Sequence, residues 1–476
     1  MYLGIDLGTS AVKVCAIDAS GQVTATATAA LAVQHPFAGA SEQNPADWWD
    51  AVIRASAALP DALRQQVRAI GLSGQMHGAV LLDRAKDPIR PAILWNDGRA
   101  SAECAAILLA EPEAGALSGA PPMPGFTAPK VLWVARHEPE SHARITHLLL
   151  PKDYIGLRLH GGLVTDPSDA AGTGWFDQAA RGWSDKLCAA SATQRAWLPA
   201  VRHGTEVAGL LTRPAAEALG LSAGIPIAAG AGDAAAGAVG IGAVADGDGF
   251  ISLGTSGQLF VTTDSYRPNL ESRVHAYAHT LPGLWFQMAA MLNGARPLAW
   301  LAGLLDRPIQ DLLAEAQNAP SGPLFLPYLS GERTPHGDAA IRAGFAFLDE
   351  RTTHGSLMRA VVEAVAFTFA DALAAVSQAG PVPERLLAIG GGTRSDFLLQ
   401  MIADATGRVL VRAKGAEVGP ALGAARLAQA ALGAGGDAVF AKPLADKTFV
   451  PNPQSQDMQD RLARYRAFYL ALKAIT

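Results

Sequence analysis

Two short segments far apart in the chain share one pattern, Asp6-Leu7-Gly8-Thr9-Ser10 near the start and Ser252-Leu253-Gly254-Thr255-Ser256 past the middle. Each lies between two apolar runs and reads as a tight turn joining two strands. Such a turn presents backbone N–H groups and hydroxyls, and its glycine removes the side chain that would keep a ligand off the backbone, which is the chemistry of a phosphate cradle. Alone, either turn is more simply a hairpin. Together, Gly8, Thr9 and Ser10 on one side and Gly254 and Thr255 on the other can close on a triphosphate. Lys13, just past the first turn, can neutralise phosphate charge, although a strand lysine is just as readily solvated.

Acidic residues accompany the turns. Asp6 ends an apolar strand, where a carboxylate has no packing role; it suits a magnesium ion beside nucleotide phosphates, and a turn-capping aspartate accounts for it equally well. Asp233 stands in Gly230-Ala231-Gly232-Asp233-Ala234-Ala235, between a strand and an Ala-rich helix. An N-cap explains it locally. A GxGxxA dinucleotide loop is the rival from another class, a nicotinamide-dependent dehydrogenase, but there the aspartate would turn its charge towards the pyrophosphate that a helix N-terminus should attract. Facing a substrate hydroxyl, the same carboxylate is a proton acceptor for phosphoryl transfer.

Gln75-Met76-His77-Gly78 follows a strand and offers an amide, an imidazole and a glycine of close approach, a recognition set for a polyhydroxylated substrate. Trp95-Asn96-Asp97 with Arg99 adds an aromatic face and polar groups suited to sugar; Trp95 fits a core equally well. Gly390-Gly391-Gly392-Thr393-Arg394-Ser395 is a strand-to-helix glycine turn against which an adenine or ribose can lie, with Gly391, Gly392 and Arg394 as its contacts.

Positioning these groups takes a mixed α/β chain. A hairpin is expected over residues 2–17, and a helix capped by Asn44-Pro45 through Trp48, Trp49 and Val52. Strands are expected near 67–72, 79–82 and 225–230, a second hairpin over 250–261, a helix over 356–378, a strand at 386–389 and a helix from about Glu417. The echo between the two hairpins suggests a duplicated domain. With 476 residues, half of them hydrophobic and 17% charged, the chain can bury substantial cores. A net charge of -5 without a basic run argues against nucleic acid or an anionic membrane as partner. Three scattered cysteines imply a reducing compartment. With no signal peptide and no strongly apolar run of membrane-spanning length in view, the cytoplasm is the expected location.

The chain resembles the FGGY family of carbohydrate kinases, most closely its xylulose-phosphorylating members. The resemblance rests on residues 1–13 (MYLGIDLGTSAVK), 73–78 (SGQMHG), 93–99 (ILWNDGR), 124–130 (PGFTAPK), 150–154 (LPKDY), 169–173 (DAAGT), 326–335 (LPYLSGERTP) and 419–427 (GPALGAARL), in family order. It implies two ribonuclease H-like lobes of the actin and hexokinase type with a cleft between them. Residues 1–243 would form the sugar-binding lobe, 244–440 the nucleotide-binding lobe and 441–476 a helical extension. It further implies transfer from ATP, with Mg2+, to D-xylulose, giving D-xylulose 5-phosphate. Asp233 would accept the proton, Asp6 would hold the metal, and Gln75, Met76, His77 and Trp95 would hold the sugar. Gly8, Thr9, Ser10, Lys13, Gly254 and Thr255 would surround the phosphates, and Gly391, Gly392 and Arg394 the adenosine. Ala234 stands where the family commonly has Asn, so D-ribulose, L-xylulose or a pentitol stays open as substrate, as do a non-catalytic sensor on the same fold and a homodimer.

Overall fold

The computed structural model describes residues 1–414, 419–452 and 456–475. It is built on two seven-stranded mixed sheets. In the first, β1 (Tyr2–Leu7) pairs antiparallel with β2 (Ala11–Ile17), and β2 with β3 (Val23–Ala30). After α1 (Pro45–Ala57), β4 (Ala69–Gly74) joins the other side of β1 in parallel. The α1 start follows the sequence signal: Asn44 caps it by accepting the Ala46 N–H (3.1 Å), with Pro45 in the first turn. β5 (Val207–Leu210) pairs antiparallel with β6 (Pro226–Ala228), and both β6 and β7 (Ala231–Gly232) pair in parallel with β4. The chain then enters α2 (Asp233–Gly240).

The second sheet is built similarly. β8 (Gly249–Leu253) runs antiparallel to β9 (Gly257–Thr263), β10 (His275–Ala278) and β9 flank β11 (Trp285–Met291), and β12 (Arg385–Ile389) lies parallel to β8 on its free side. The long α3 (His354–Ser377) precedes β12, α4 (Asp396–Thr406) follows it, and β13 (Val409–Ala413) extends the sheet in parallel. The two GTS turns therefore occupy one position in two similar arrangements, an antiparallel hairpin extended by further antiparallel strands on one side and by parallel strands beside its first strand; in the second sheet β11, not β10, lies next to β9.

Two expectations need correction. The tail after residue 440 is not only helical: β14 (Ala445–Phe449) pairs antiparallel with β13 as the sheet's edge before α6 (Gln456–Lys473) packs Tyr465 against Phe367. An apolar segment of membrane-spanning length does exist, in α3, but 89% of that window is buried inside the protein, so its apolarity belongs to the core of the second half. Glu417, the expected start of a helix, lies outside the described residues; α5 covers Pro420–Ala431.

α5 also explains the Gly- and Ala-rich motif 419–427. Though it follows β13, it packs on the first sheet, where a Cβ at Gly4 would stand 2.0 Å from the Ala421 carbonyl oxygen and one at Gly71 1.9 Å from that of Ala424. Only glycine admits a helix backbone this close to β1 and β4. α2 lies against α5 in the same manner, so two small-residue helices join the halves directly beneath the site.

Candidate active site

β1, β4 and β7 are neighbours and parallel, so their carboxyl ends meet at one sheet edge: Leu7 pairs with Gly74, and Gly74 with Gly232. Ligands of open α/β sheets bind at this end of the strands. The register brings Asp6, Gln75 to His77, and Asp233 together from three distant stretches of sequence. The Gln75 N–H donates to Leu7 O (2.8 Å), locking the middle segment to the first.

Asp233 is the first residue of α2, and Gly232 rather than Asp233 is the N-cap, without a side-chain capping bond. The turn before it is anchored at both ends. The Gly232 N–H donates to Ser168 Oγ (3.1 Å), and Lys152 Nζ donates to Ala229 O (3.3 Å) while holding Asp153 (2.5 Å) and Asp166 (3.2 Å) in a buried cluster. This is what the motifs at 150–154 and 169–173 contribute. Burial first, and the Asp6 charge after it, push the Asp233 carboxyl up to about 7 against the opposing Ala234 N–H. Asp6 is raised to about 6, again chiefly by burial, although Lys13, its cross-strand partner, pulls the other way. The Asp6 Oδ1 atom is buried and has no hydrogen-bond partner. Two desolvated carboxylates and an orphaned hard oxygen suit a Mg2+ ion carried by the nucleotide, so the residues present fit the metal.

On the substrate side, His77 has φ of 69°, an uncommon backbone for a bulky residue. Its Nδ1 lies 2.5 Å from Gly172 O and its ring stacks on Phe126 with centroids 4.9 Å apart. Burial holds its pKa down to about 3, so the ring is neutral, Nδ1 carries the hydrogen, and Nε2 is the acceptor. Met76 is buried beneath the turn before Asp233, where a Cβ on Gly232 would meet its Cγ at 2.9 Å. Trp95 is 40% exposed and so is not a core residue; its indole N–H donates to Thr9 Oγ1 (2.9 Å). Thr9 Oγ1 donates to Gln75 Oε1 (3.0 Å), and the Gln75 amide donates to Gln43 Oε1 (3.1 Å). Gln43 Nε2 completes the network on Thr9 O (2.8 Å). Gln43 belongs to no recognisable motif, yet it ties the first glycine turn to the substrate wall. Asp97 and Arg99, expected to offer polar groups to a sugar, are engaged with each other in a bidentate ion pair (both contacts 2.8 Å), and Asp97 also accepts the Ser41 N–H (2.6 Å).

A cavity of about 750 Å³ brings Lys13 of the first half together with Ser252, Gly391 and Arg394 of the second. Arg412 and Lys414 also line it, and sequence reasoning had not pointed to either. Gly391 faces open space, whereas Gly390 (φ 94°) and Gly392 pack on Leu253, where a Cβ would come to 2.8 and 2.9 Å of its atoms. The glycine run thus seats β12 against the second turn and leaves one glycine open to a ligand. Gly254 and Thr255 do not line this cavity, and their carbonyls accept the N–H groups of Ala295 (2.8 Å) and Gly294 (3.1 Å). A smaller cavity of about 300 Å³ lies between the halves, with His77, Trp95 and Phe126 on one wall and Arg273, Glu332 and Arg333 on the other.

Two lobes of similar topology, a nucleotide-sized cavity and a buried acid pair at the strand ends define a kinase of the actin and hexokinase fold. Residues 1–240 match the N-terminal domain, and residues 249–432 the C-terminal domain, of the FGGY family of carbohydrate kinases. The chain is 47% identical over 438 residues to the xylulose kinase of Escherichia coli (strain K12), covering 90% of each protein. Among solved structures, a xyloylose kinase from Brucella ovis superposes with a TM-score of 0.94 at 42% identity over 100% of both chains. The xylulose kinase from Rhodospirillum rubrum gives 0.92 at 28% identity, over 100% of this chain and 99% of that one. The chain belongs to the FGGY family of carbohydrate kinases, ATP-dependent enzymes.

Proposed function

We propose that the protein transfers the γ-phosphoryl group of ATP to the fifth-carbon hydroxyl of D-xylulose, giving D-xylulose 5-phosphate and ADP, with Asp233 as proton acceptor. The observation that carries the chemistry is the buried Asp6–Asp233 pair, whose carboxyls are pushed up to about 6 and about 7 at the ends of β1 and β7, which both pair with β4. Asp233, ionised near neutral pH, takes the hydroxyl proton as the oxygen bonds to phosphorus and the bond to the bridging oxygen of ADP breaks. Asp6 would hold the Mg2+ of the nucleotide, which when bound supplies positive charge against the phosphates. Lys13 lines the nucleotide cavity and adds a second cation there. Gly8, Thr9 and Ser10 would meet the phosphates from one lobe and the turn at Gly254 and Thr255 from the other, while Gly391 and Arg394 hold the adenosine and Gly392 seats their turn on Leu253. His77 Nε2, Met76, Trp95 and Gln75 shape the sugar wall.

The choice of xylulose rests on the relatives named above, whose names carry it, and the D configuration is part of the proposal. We place the lobe boundary at 243/244, between the end of α2 at Gly240 and the start of β8 at Gly249. A cytoplasmic enzyme without nucleic-acid or membrane partners, acting alone or as a homodimer, agrees with this reading. The test is a coupled ADP-release assay across D-xylulose, D-ribulose, L-xylulose and a pentitol. D-xylulose should give the highest kcat/KM; a higher value for another member would reassign the substrate, and no release with any of them would end the reading.

A further inference from the structure

Glu332 and Arg333 stand side by side on the second-lobe wall of the smaller cavity, but only the carboxylate has partners. Glu332 accepts the N–H groups of Leu292 (2.7 Å) and Arg333 (2.8 Å) and the Asn293 amide (3.2 Å). The Arg333 guanidinium makes no hydrogen bond or ion pair among the described residues; the residue is half-buried on the cavity wall, and burial lowers its pKa. Nearby on β10, both ring nitrogens of His275 and the Tyr277 hydroxyl are buried without partners. A buried donor left unpaired is costly, and such groups in a cleft commonly await a ligand.

The opposite wall identifies the ligand. It carries the neutral His77, whose Nε2 accepts, and the exposed face of Trp95, a surface suited to a polyhydroxylated ring or chain. Asp233 does not line this cavity, whereas His77 does, so the cavity holds the part of the sugar away from the attacked hydroxyl.

Building on the sugar kinase reading above, we propose that Arg333 is a substrate-binding residue of the second lobe, donating to oxygens of the sugar that His77 and Trp95 hold from the first. One sugar molecule then bridges the lobes, and sugar binding itself draws them together before the nucleotide is positioned. Arg333→Met should raise KM for D-xylulose about 10- to 100-fold, the scale of a hydrogen bond to a charged group, with KM for ATP unchanged. Arg333→Lys, which keeps the charge and loses the planar fork, should recover part of the loss. Small-angle scattering with D-xylulose alone should show compaction of the wild type and none of Arg333→Met. An unchanged sugar KM in either variant, or a fall in kcat with sugar KM preserved, would overturn the assignment. If Arg333→Met does not fold, as its melting curve would show, the sugar KM of Arg333→Lys decides alone. Absence of ADP release by the wild type with D-xylulose would instead strike the parent reading, before any variant is compared.

Discussion

The two glycine turns sit at the same point of two similarly built sheets, yet the residue before each turn's leucine differs: Asp6 in the first lobe, Ser252 in the second. Their surroundings differ accordingly. Asp6 is flanked in register by Lys13 and Ser73, polar neighbours able to share a charge, whereas Ser252 lies between Gln258 and Ile389 and lines the nucleotide cavity. A duplicated architecture thus supplies two backbone turns for one nucleotide, while the acid is kept on the side where the acceptor hydroxyl arrives. A second carboxylate facing the triphosphate would repel it. On the function proposed above, the first lobe carries the chemistry and the second mainly binds.

That division is broken most severely at Asp233. Asp233→Ala should lower kcat at least about 100-fold, the scale of a lost proton acceptor, while ATP binding by calorimetry survives. Near-normal turnover would remove Asp233 from the mechanism. Asp6→Asn should cost about 10- to 100-fold in kcat and weaken Mg2+ dependence. Because the Asp6 charge is the second cause of the raised Asp233 carboxyl, this variant should also shift the acid limb of kcat/KM for the sugar to lower pH, from near 7 in the wild type. An unmoved limb would mean that the two carboxylates do not sense each other.

Much of the scaffold was legible because local signals set it: both hairpins, the Asn44-Pro45 start of α1 and the apolar periodicity of α3 depend on residues close in sequence. Sheet order and the carriage of α5 onto the first sheet depend on pairings hundreds of residues apart, and only the echo of the turns hinted at them. Side-chain partnership was least legible. Asp97 and Arg99 have the composition of a sugar site but neutralise each other, Gln43 has no motif and joins the site, and the free guanidinium of Arg333 becomes visible only once Glu332 is seen engaged elsewhere. A residue type tells what a group can bind, and the fold decides whether that capacity is left over.

The reverse exchange sharpens the comparison with a smaller effect. Ser252→Asp places a carboxylate on the wall of the nucleotide cavity, so KM for ATP should rise about 3- to 10-fold, more at low ionic strength, with the sugar KM unchanged. An unaffected ATP KM would detach this cavity from the nucleotide.

The smallest effect is on stability, and its sign is specific to the first lobe. Asp6 and Asp233 have native carboxyls raised to about 6 and about 7 from an ordinary value of 3.8. Across that interval the folded protein binds protons that the unfolded chain has released, so their contribution to stability is full below about pH 4 and is lost as pH rises towards 7. Relieving the pair should therefore stabilise the ligand-free protein: Asp6→Asn should melt about 2–5 °C above wild type at pH 7.5, and the gap should close near pH 4. Ser252→Asn, at the matching point of the second lobe, removes no charge and should show a melting difference independent of pH. Equal pH dependence in the two variants would mean that the two turns do not differ in stored charge, and the contrast between the lobes would lose its electrostatic basis.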